Sequence, residues 1–480
     1  MMHLADYASY DALGLADLIR RREVTSRELG HCVLSAVEAV NPRLNAVIDL
    51  YQDAIGGLGD DIGPGPFHGL PMLTKDFPLV AGRPAQFGSV FAKGFVPAEG
   101  SVFWDRLSNA GLVNVGRTAS SEFGIAAATE SSLYGPTHNP WDLTRGVAGS
   151  SGGAAAAVAA GIVPCAHGSD GGGSIRTPAS FCGVVGLKPS RGRVSSAPDS
   201  NAPLLGLATE FMLTKSIRDT ACLLDLVSAA VPGDGYEIAM PVGAYSKAIE
   251  IPPQGLRIAL CTQSWSDYPL QANVVAATQS IGKRLEQLGH HVEEASPDFD
   301  YGAYLAAQKV IWAAFCANSL DELATVLKRP IDGDHLQTTT LALYHAGKGL
   351  DASALIGALA TYDRVTRVIG RFLARYDVLV TPTCPITPET IGTHDPNRAG
   401  LGIDDVFADL ASKETFSALF NATGSPALSL PLGWAGNGLP IGIQFVAAFG
   451  REDLLLRLGR VLEAEIGWRQ HRPPVHVSRP

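Results

Sequence analysis

The chain has little charge, few cysteines and no long uninterrupted apolar run. Over 480 residues, charged side chains make up 18% and hydrophobic ones 46%, which argues against extended disorder and favours a large buried core. The seven cysteines are scattered, form no Cys-x-x-Cys pair and are odd in number, so we expect reduced thiols. No basic flank followed by an apolar segment opens the chain, which favours a cytoplasmic location.

Features of nucleic-acid, membrane and metal-binding proteins are also missing. The net charge is -10 without a lysine or arginine block, which argues against a nucleic-acid partner. The apolar stretch over residues 154–164 is far shorter than the ~20 residues that a membrane span needs. The twelve histidines offer no zinc spacing, so we expect no metal and no cofactor. A small molecule is the expected partner, and a homodimer is left open.

Apolar strand patterns alternate with helical ones along most of the chain. Residues 25–28, Thr-Ser-Arg-Glu, form a capping-box pattern that predicts the start of a helix. A short apolar strand over residues 70–75 ends at Lys75. Further strands are predicted at residues 257–261 and 441–447, with a helix at residues 276–288. This alternation predicts an α/β fold.

The most informative segment contains two serines in glycine-rich surroundings. It reads Gly-Ser-Ser-Gly-Gly at residues 149–153 and Gly-Ser-Asp-Gly-Gly-Gly-Ser-Ile-Arg at residues 168–176. Ser174 would act as a nucleophile only beside a proton acceptor, which could be a histidine, a lysine or a second hydroxyl. Gly171, Gly172 and Gly173 lack Cβ atoms, so their N–H groups and that of Ser174 can converge into an oxyanion hole. The segment therefore indicates acyl transfer.

Three alternative interpretations compete with this one. A flexible loop or a phosphate-binding loop is also glycine-rich, but Gly-Lys-Ser/Thr and Gly-x-Gly-x-x-Gly are both absent from the segment. Residues 149–153 also satisfy Gly-x-Ser-x-Gly, the nucleophile elbow, with Ser151 as nucleophile. That elbow needs a strand directly before it, and residues 139–148 contain proline, aspartate and glycine, which disfavour a buried strand.

The two serine motifs with the upstream lysine resemble the signature of the amidase signature family of serine hydrolases. Residues 71–76, 121–124 and 421–427 also resemble family segments, so the similarity covers nearly the whole chain. The tail, with Gly-Arg-Glu-Asp-Leu-Leu-Leu at residues 450–456, is similar to cyclic-amide hydrolases of the 6-aminohexanoate-cyclic-dimer hydrolase type. The resemblance implies a large twisted mixed β-sheet flanked by helices. It also implies one domain over residues 1–480, within which residues 235–375 form a variable, largely helical substrate-side region.

The resemblance further implies a catalytic triad. Lys75 would be the base, Ser150 a bridging serine after a cis peptide bond from Gly149, and Ser174 the nucleophile that carries the acyl group. To accept a proton, Lys75 must be neutral in the resting enzyme, which requires burial that lowers its pKa.

The resemblance assigns two further sets of residues. The substrate contacts are expected to be Phe123, Gly124, Ile125, Gly149 and Cys316. For Cys316, a small core residue is the favoured interpretation and a substrate contact the alternative. Ser151, Asp170 and Arg176 are expected to support the glycine loop without reacting.

The function implied is hydrolysis of a small or medium carboxylic amide, either linear or cyclic, with aryl amides, carbamates and esters as further substrates. One alternative is the ammonia-releasing glutaminase subunit of a tRNA-dependent amidotransferase, which would need partner subunits and an arginine for the α-carboxylate of glutamine. A second alternative is a scaffold protein that has lost activity, against which the intact Lys75, Ser150 and Ser174 argue.

Overall fold

A mixed β-sheet runs through the centre of the protein. The computed structural model describes residues 2–59, 65–77, 79–198 and 200–479. In chain order, the strands within these residues are β1 (Val47–Leu50), β2 (Leu70–Lys75), β3 (Leu112–Thr118), β4 (Glu130–Ser131), β5 (Gly135–Pro136), β6 (His138–Asn139), β7 (Asp142–Gly146), β8 (Cys165–Asp170), β9 (Val185–Lys188), β10 (Thr209–Thr214), β11 (Arg257–Leu260), β12 (His291–Glu294), β13 (Val378–Pro382), β14 (Ala427–Trp434) and β15 (Pro440–Ala447).

Helices cover the sheet and connect its strands. Within the described residues they are α1 (Leu4–Tyr7), α2 (Ala12–Arg20), α3 (Ser26–Leu44), α4 (Gln52–Gly56), α5 (Val102–Asn109), α6 (Gly152–Ala159), α7 (Arg176–Cys182), α8 (Pro203–Gly206), α9 (Ile217–Val227), α10 (Tyr245–Ala248), α11 (Ala272–Gln287), α12 (Tyr301–Leu327), α13 (Thr338–Lys348), α14 (Ala352–Leu373), α15 (Ile403–Glu414), α16 (Leu419–Thr423) and α17 (Glu452–Ile466), with 3₁₀ turns at Glu122–Gly124 and Trp468–Gln470.

The main sheet contains eleven strands in the order β1-β3-β2-β8-β10-β9-β14-β15-β13-β11-β12, as far as the described residues extend. β2 runs parallel to β3 and β8, β11 runs parallel to β12 and β13, and the other neighbours are antiparallel. Strands β4 to β7 form two small ribbons outside this sheet. The predicted large mixed sheet flanked by helices is therefore confirmed.

Several local predictions hold because short-range chemistry determines them. The side chain of Thr25 accepts a hydrogen bond from Glu28 N, and the Glu28 carboxylate accepts one from Thr25 N, which is the predicted capping box at the start of α3. Strand β2 has the predicted bounds, since its six residues are all buried and the first four, Leu-Pro-Met-Leu, are apolar.

The central helix α6 packs tightly because its residues are small. Its sequence is Gly-Gly-Ala-Ala-Ala-Ala-Val-Ala, and seven of the eight residues are buried. A Cβ atom on Gly153 would lie 2.5 Å from the backbone nitrogen of Ala119, so only glycine permits this approach to the end of β3. The close packing holds the chain at Ser150 and Ser151, immediately before α6, against the sheet.

Residues 235–375 contain helices α10 to α14 together with the edge strands β11 and β12. A separate apolar cluster lies beneath α12 and α14, where Ile311 and Ile369 are fully buried. The segment is thus largely helical and also extends one edge of the sheet. The division of the chain into one domain with a variable substrate-side region stays a prediction.

Helix α12 is, among the described helices, the one long and apolar enough to cross a membrane by length and composition. Ile311, Trp312 and Leu320 on this helix are buried in the second apolar cluster. A core helix passes the same test, so a single match of this kind is weak evidence for a membrane span.

Candidate active site

Two parallel neighbours of the sheet bring the first polar groups of the site together. Leu73 of β2 pairs with Ala166 of β8, so the carboxyl ends of both strands lie at the same edge. β2 ends at Lys75, and β8 ends with Ser169 and Asp170. The glycine-rich loop follows β8 directly, so the sheet places Lys75 beside this loop.

The Lys75 ammonium is fully buried between two hydroxyl groups. Its Nζ lies 2.6 Å from Ser150 Oγ and 2.8 Å from Ser169 Oγ, and 4.3 Å from the ring centre of Phe77. Burial lowers the pKa of Lys75 from 10.5 to about 7, although the negative charges of Asp170, Glu210 and Asp76 oppose the shift. A large fraction of this amine is therefore neutral near pH 7, as a base requires.

Ser150 follows a cis peptide bond from Gly149, at the position that the sequence resemblance specified. The Gly149 carbonyl accepts a hydrogen bond of 2.9 Å from Thr177 Oγ1, and the Ser150 carbonyl accepts one of 3.3 Å from Ser121 N. These contacts hold the backbone on both sides of the hydroxyl that faces Lys75.

Ser174 lines the same cavity as Ser150 and Ser169 and is 5% exposed. Its hydroxyl makes no hydrogen bond to another described residue, and the contact between Ser150 and Ser174 that a proton relay needs is not formed here. Its carbonyl accepts a hydrogen bond of 3.2 Å from Ser151 N. The structure thus joins Lys75 to Ser150 directly and leaves the Ser174 hydroxyl open to the cavity.

The glycine loop is held by its carbonyl groups. The Gly172 carbonyl accepts a hydrogen bond of 2.7 Å from Ser417 Oγ, and the Gly173 carbonyl accepts one of 2.7 Å from Thr177 N. In a planar trans peptide the N–H points opposite to the C=O of the same unit. The two contacts therefore fix the directions of the Gly173 and Ser174 N–H groups. Within the described residues, no hydrogen bond uses the four amides of residues 171–174. These donors remain available to a ligand oxygen.

Two glycines of this loop lie where a side chain would collide. Gly173 has a φ of 150°, and a Cβ atom on it would meet Ser417 Oγ. A Cβ atom on Gly172 would meet the Glu414 carboxyl group. Gly171 and Ser174 line the cavity, whereas Gly172 and Gly173 are not among its described lining residues.

Asp170 and Arg176 form the centre of a buried polar network behind the loop. Arg176 Nη2 donates to Asp170 Oδ1 at 2.8 Å and also to Asn421 Oδ1, while Nη1 donates to Gln444 Oε1 and to the Ser417 carbonyl. Despite full burial, the guanidinium lowers the pKa of Asp170 to about 2. Asp170 is therefore ionised, and the pair connects the loop to residues more than 240 positions later in the chain.

Ser151 lies next to this network and not in the cavity. Its Oγ donates to the Ser169 carbonyl at 3.2 Å and accepts from Ser169 N at 3.3 Å. The preceding strand β7 belongs to a two-stranded ribbon and is not a buried strand of the main sheet. The geometry does not support the nucleophile-elbow alternative with Ser151.

The cavity in front of Ser174 has a volume of about 530 Å³ and a mainly apolar wall. Its apolar lining residues include Phe77, Phe87, Phe95, Phe123, Ile125, Leu204, Trp312, Phe315 and Leu323. The charged side chains among the described lining residues are Glu210 and Glu322, and no lysine or arginine occurs in this set. A neutral, largely apolar ligand fits such a wall, whereas a carboxylate would be repelled.

The predicted substrate contacts divide into two groups. Phe123, Gly124, Ile125 and Cys316 all line the cavity. Cys316 is also 5% exposed, and its thiol lies 3.8 Å from the Thr340 carbonyl, so it is both a wall residue and a core residue. Gly149 is not among the described lining residues, because its backbone packs against residues 126–128.

Three residues that sequence reasoning overlooked also belong to the site. Ser169 Oγ accepts a hydrogen bond from Lys75 Nζ, and the sequence could have indicated this residue, because it lies within the same glycine motif. His167 Nδ1 accepts a hydrogen bond of 3.3 Å from Lys75 N, and burial beside Lys75 lowers the pKa of His167 to about 3, so it is neutral. Glu414 lies against Gly172, and burial raises its pKa to about 8. Nothing in the local sequence around Glu414 indicates this contact.

The fold agrees with comparisons to known proteins. The profile of the Amidase family matches residues 31–456. The chain is 35% identical to 6-aminohexanoate-cyclic-dimer hydrolase of Paenarthrobacter ureafaciens, over 96% of each protein. It is 32% identical to a glutamyl-tRNA(Gln) amidotransferase subunit of Synechococcus sp. (strain RCC307), over 95% of this chain and 98% of the relative.

A solved structure of 6-aminohexanoate cyclic dimer hydrolase superposes with a TM-score of 0.91 at 33% identity, covering 98% of this chain and 99% of the other. Identity above 30% over nearly full length, together with the family profile, establishes the relationship. The chain belongs to the amidase signature family and is a hydrolase that acts on carbon–nitrogen bonds.

Proposed function

We propose that the protein hydrolyses neutral, largely apolar carboxylic amides through an acyl-enzyme on Ser174. The observation that carries this proposal is the 2.6 Å contact between Lys75 Nζ and Ser150 Oγ, in a buried site whose cavity also contains Ser174. A buried amine with a pKa of about 7 can accept a proton at neutral pH, which activates a neighbouring hydroxyl.

In the first step, Ser174 Oγ attacks the amide carbon. Its proton passes to Ser150 Oγ as the Ser150 proton passes to the neutral Lys75 Nζ. For this transfer, the Ser150 and Ser174 hydroxyls must come within hydrogen-bond distance when substrate binds. The negative charge that develops on the carbonyl oxygen is stabilised by the unused N–H groups of residues 171–174, the proposed oxyanion hole.

In the second step, the carbon–nitrogen bond breaks and the proton returns from Lys75 through Ser150 to the leaving nitrogen. This delivery matters because an amine anion is too basic to depart unprotonated. Water then attacks the Ser174 ester, gives its proton to the same relay, and releases the carboxylic acid and the free serine. Ser169 keeps Lys75 Nζ in position throughout, while Asp170 and Arg176 hold the loop.

The cavity wall favours an amidase of neutral substrates over a glutaminase. Glutamine carries an α-carboxylate, which requires a cationic partner. The charged side chains among the described lining residues are the carboxylates of Glu210 and Glu322. The relatives include both a cyclic-amide hydrolase and an amidotransferase subunit, so this difference in charge is the specific argument.

The proposal is tested by measuring amine release from three substrates with the purified chain. These are the 6-aminohexanoate cyclic dimer, after which one relative is named, an anilide of a medium-chain acid, and glutamine. We expect turnover of at least one of the first two and none of glutamine. Ser174→Ala should abolish turnover while leaving the thermal unfolding temperature nearly unchanged. Full activity of Ser174→Ala would refute the proposal. Turnover of glutamine with neither of the other two substrates hydrolysed would refute it as well.

A further inference from the structure

A second cavity lies at the opposite end of α6 from the active site. We call it the tail cavity, because residues 467–472, 476 and 479 of the C-terminal tail form much of its wall. Its volume is about 710 Å³, and it shares no described lining residue with the active-site cavity. Helix α6 begins beside Ser151 and ends at the tail cavity, so eight helical residues, about 12 Å, separate the two sites.

Cationic side chains dominate the wall of the tail cavity. They are Lys215, Arg460, Arg469, Arg472 and Arg479, whereas Glu463 is the one acidic residue among the described lining residues. This concentration occurs in a chain whose net charge is -10. His476, also in the wall, is neutral, because burial and the neighbouring cations lower its pKa to about 3.

Acidic partners neutralise two of these five cations. Arg460 lies 2.8 Å from Glu463, and Arg469 lies 3.5 Å from Asp11, which Arg218 also binds. The charge of these two wall residues is thus compensated within the chain.

The other three cations form no ion pair with a carboxylate of the described residues. Arg472 donates to Ser478 Oγ at 3.2 Å, and the side chains of Lys215 and Arg479 form no hydrogen bond or ion pair with another described residue. Burial, Arg472 and Arg469 lower the pKa of Lys215 to about 8, although the negative charges of Asp11 and Asp219 oppose the shift.

A purely structural role for these cations would be to compensate helix dipoles. Helices α6, α7 and α17 all end at this cavity, and cations stabilise the negative ends of helices. However, within the described residues none of these five side chains donates a hydrogen bond to the last carbonyl groups of those helices. Hydrogen bonds to helix ends therefore do not engage Lys215, Arg472 or Arg479, the three cations that form no ion pair with a described carboxylate.

We propose that the tail cavity binds a small polyanion, either a phosphate ester or a di- or tricarboxylate. Its volume lies in the range of small-molecule sites, about 300–1,000 Å³. Guanidinium groups bind phosphate and carboxylate oxygens in pairs, and an ammonium adds a point charge. The ligand differs in charge from the neutral amide proposed for the active site.

Isothermal titration calorimetry with pyrophosphate and with citrate tests this inference at near-physiological salt. We expect saturable binding of one anion per chain, and the tighter of the two ligands identifies the class. Lys215→Met and Arg472→Gln should each weaken binding about tenfold or more, since each removes a charge-assisted contact. Arg479→Gln should act in the same direction, and because this side chain is exposed the variant keeps its fold.

Two control variants show whether binding takes place in the tail cavity. Arg371→Gln removes an exposed cation on α14, far along the chain from the cavity, and should leave the dissociation constant unchanged. Ser174→Ala should bind the anion as wild type does, because the active site is not involved. The inference is overturned by the absence of saturable binding at millimolar anion, by unchanged affinity in Arg472→Gln and Arg479→Gln, or by loss of binding in Ser174→Ala.

Discussion

The burial of Lys75 predicts how the reaction rate depends on pH. Burial lowers the pKa of Lys75 from 10.5 to about 7, and the proposed base is the neutral amine. Below the pKa, the neutral fraction falls tenfold for each pH unit, so kcat/KM at pH 5 should be about 100-fold lower than its plateau above pH 8. An ordinary lysine would instead keep the enzyme nearly inactive until pH 10.

The charge of Glu210 provides a second perturbation of the same group. This carboxylate raises the pKa of Lys75, so Glu210→Gln should lower that pKa and move the acidic limb of the profile to lower pH. The measurement is kcat/KM for an anilide substrate from pH 5 to pH 9 in buffers of constant ionic strength. Circular dichroism at each pH checks that the protein remains folded.

Lys75→Met provides the matched control, because any residual activity of this variant should lack the limb near pH 7. A flat wild-type profile between pH 5 and pH 8 would refute the role of Lys75 as base. So would an identical limb in Lys75→Met, since another group would then cause it. A shift of the Glu210→Gln limb towards higher pH would contradict the electrostatic reasoning.

Three substitutions, the first of them the same Lys75→Met variant, test the stability of the site and its loop. Lys75→Met should raise the free energy of unfolding, measured in urea at pH 6, by about 2 kcal/mol. The reason is that the lysine pKa is lower in the folded than in the unfolded state, so holding the buried amine protonated below pH 7 destabilises the folded state. This penalty is relieved as the pH rises from about 7 towards 10.5. Arg176→Met should lower that free energy by about 3–5 kcal/mol, since Asp170 would be left as a buried unpaired charge; a loss below 1 kcal/mol would contradict the network. Gly173→Ala should reduce kcat about 10²- to 10³-fold, because its Cβ would displace Ser417 and misalign the amide donors; unchanged kcat in steady-state assays would argue against the oxyanion loop.

The sequence predicted those parts of the site that short segments determine. The strand ending at Lys75 and the capping box of α3 follow from neighbouring residues, and the structure has both. The oxyanion hole predicted from the glycine motif stays a prediction, and within the described residues the loop's amides donate no hydrogen bond. Local chemistry sufficed for the strand and the capping box, because the contacts involved span only a few residues.

Other features depend on contacts between distant parts of the chain, which no local pattern records. The Gly172 carbonyl is held by Ser417, and Glu414 fills the space beside the same glycine. The described wall of the active-site cavity contains no lysine or arginine, and this follows only from the packing of α12 beside the loop. The same holds for the tail cavity, whose cations come from separate segments.

The proposed reacting groups, Lys75, Ser150 and Ser174, lie within about one hundred consecutive residues, whereas Trp312, Phe315 and Leu323 of the cavity wall belong to α12. One part of the cavity wall therefore comes from a stretch of polypeptide separate from the proposed reacting groups, while Phe77, Phe87, Phe95 and Phe123 of the wall lie among them. We expect substitutions in α12 to change which amides fit the cavity without moving Lys75, Ser150 or Ser174. This separation offers a route by which new amides, including synthetic ones, become substrates through changes in one helix.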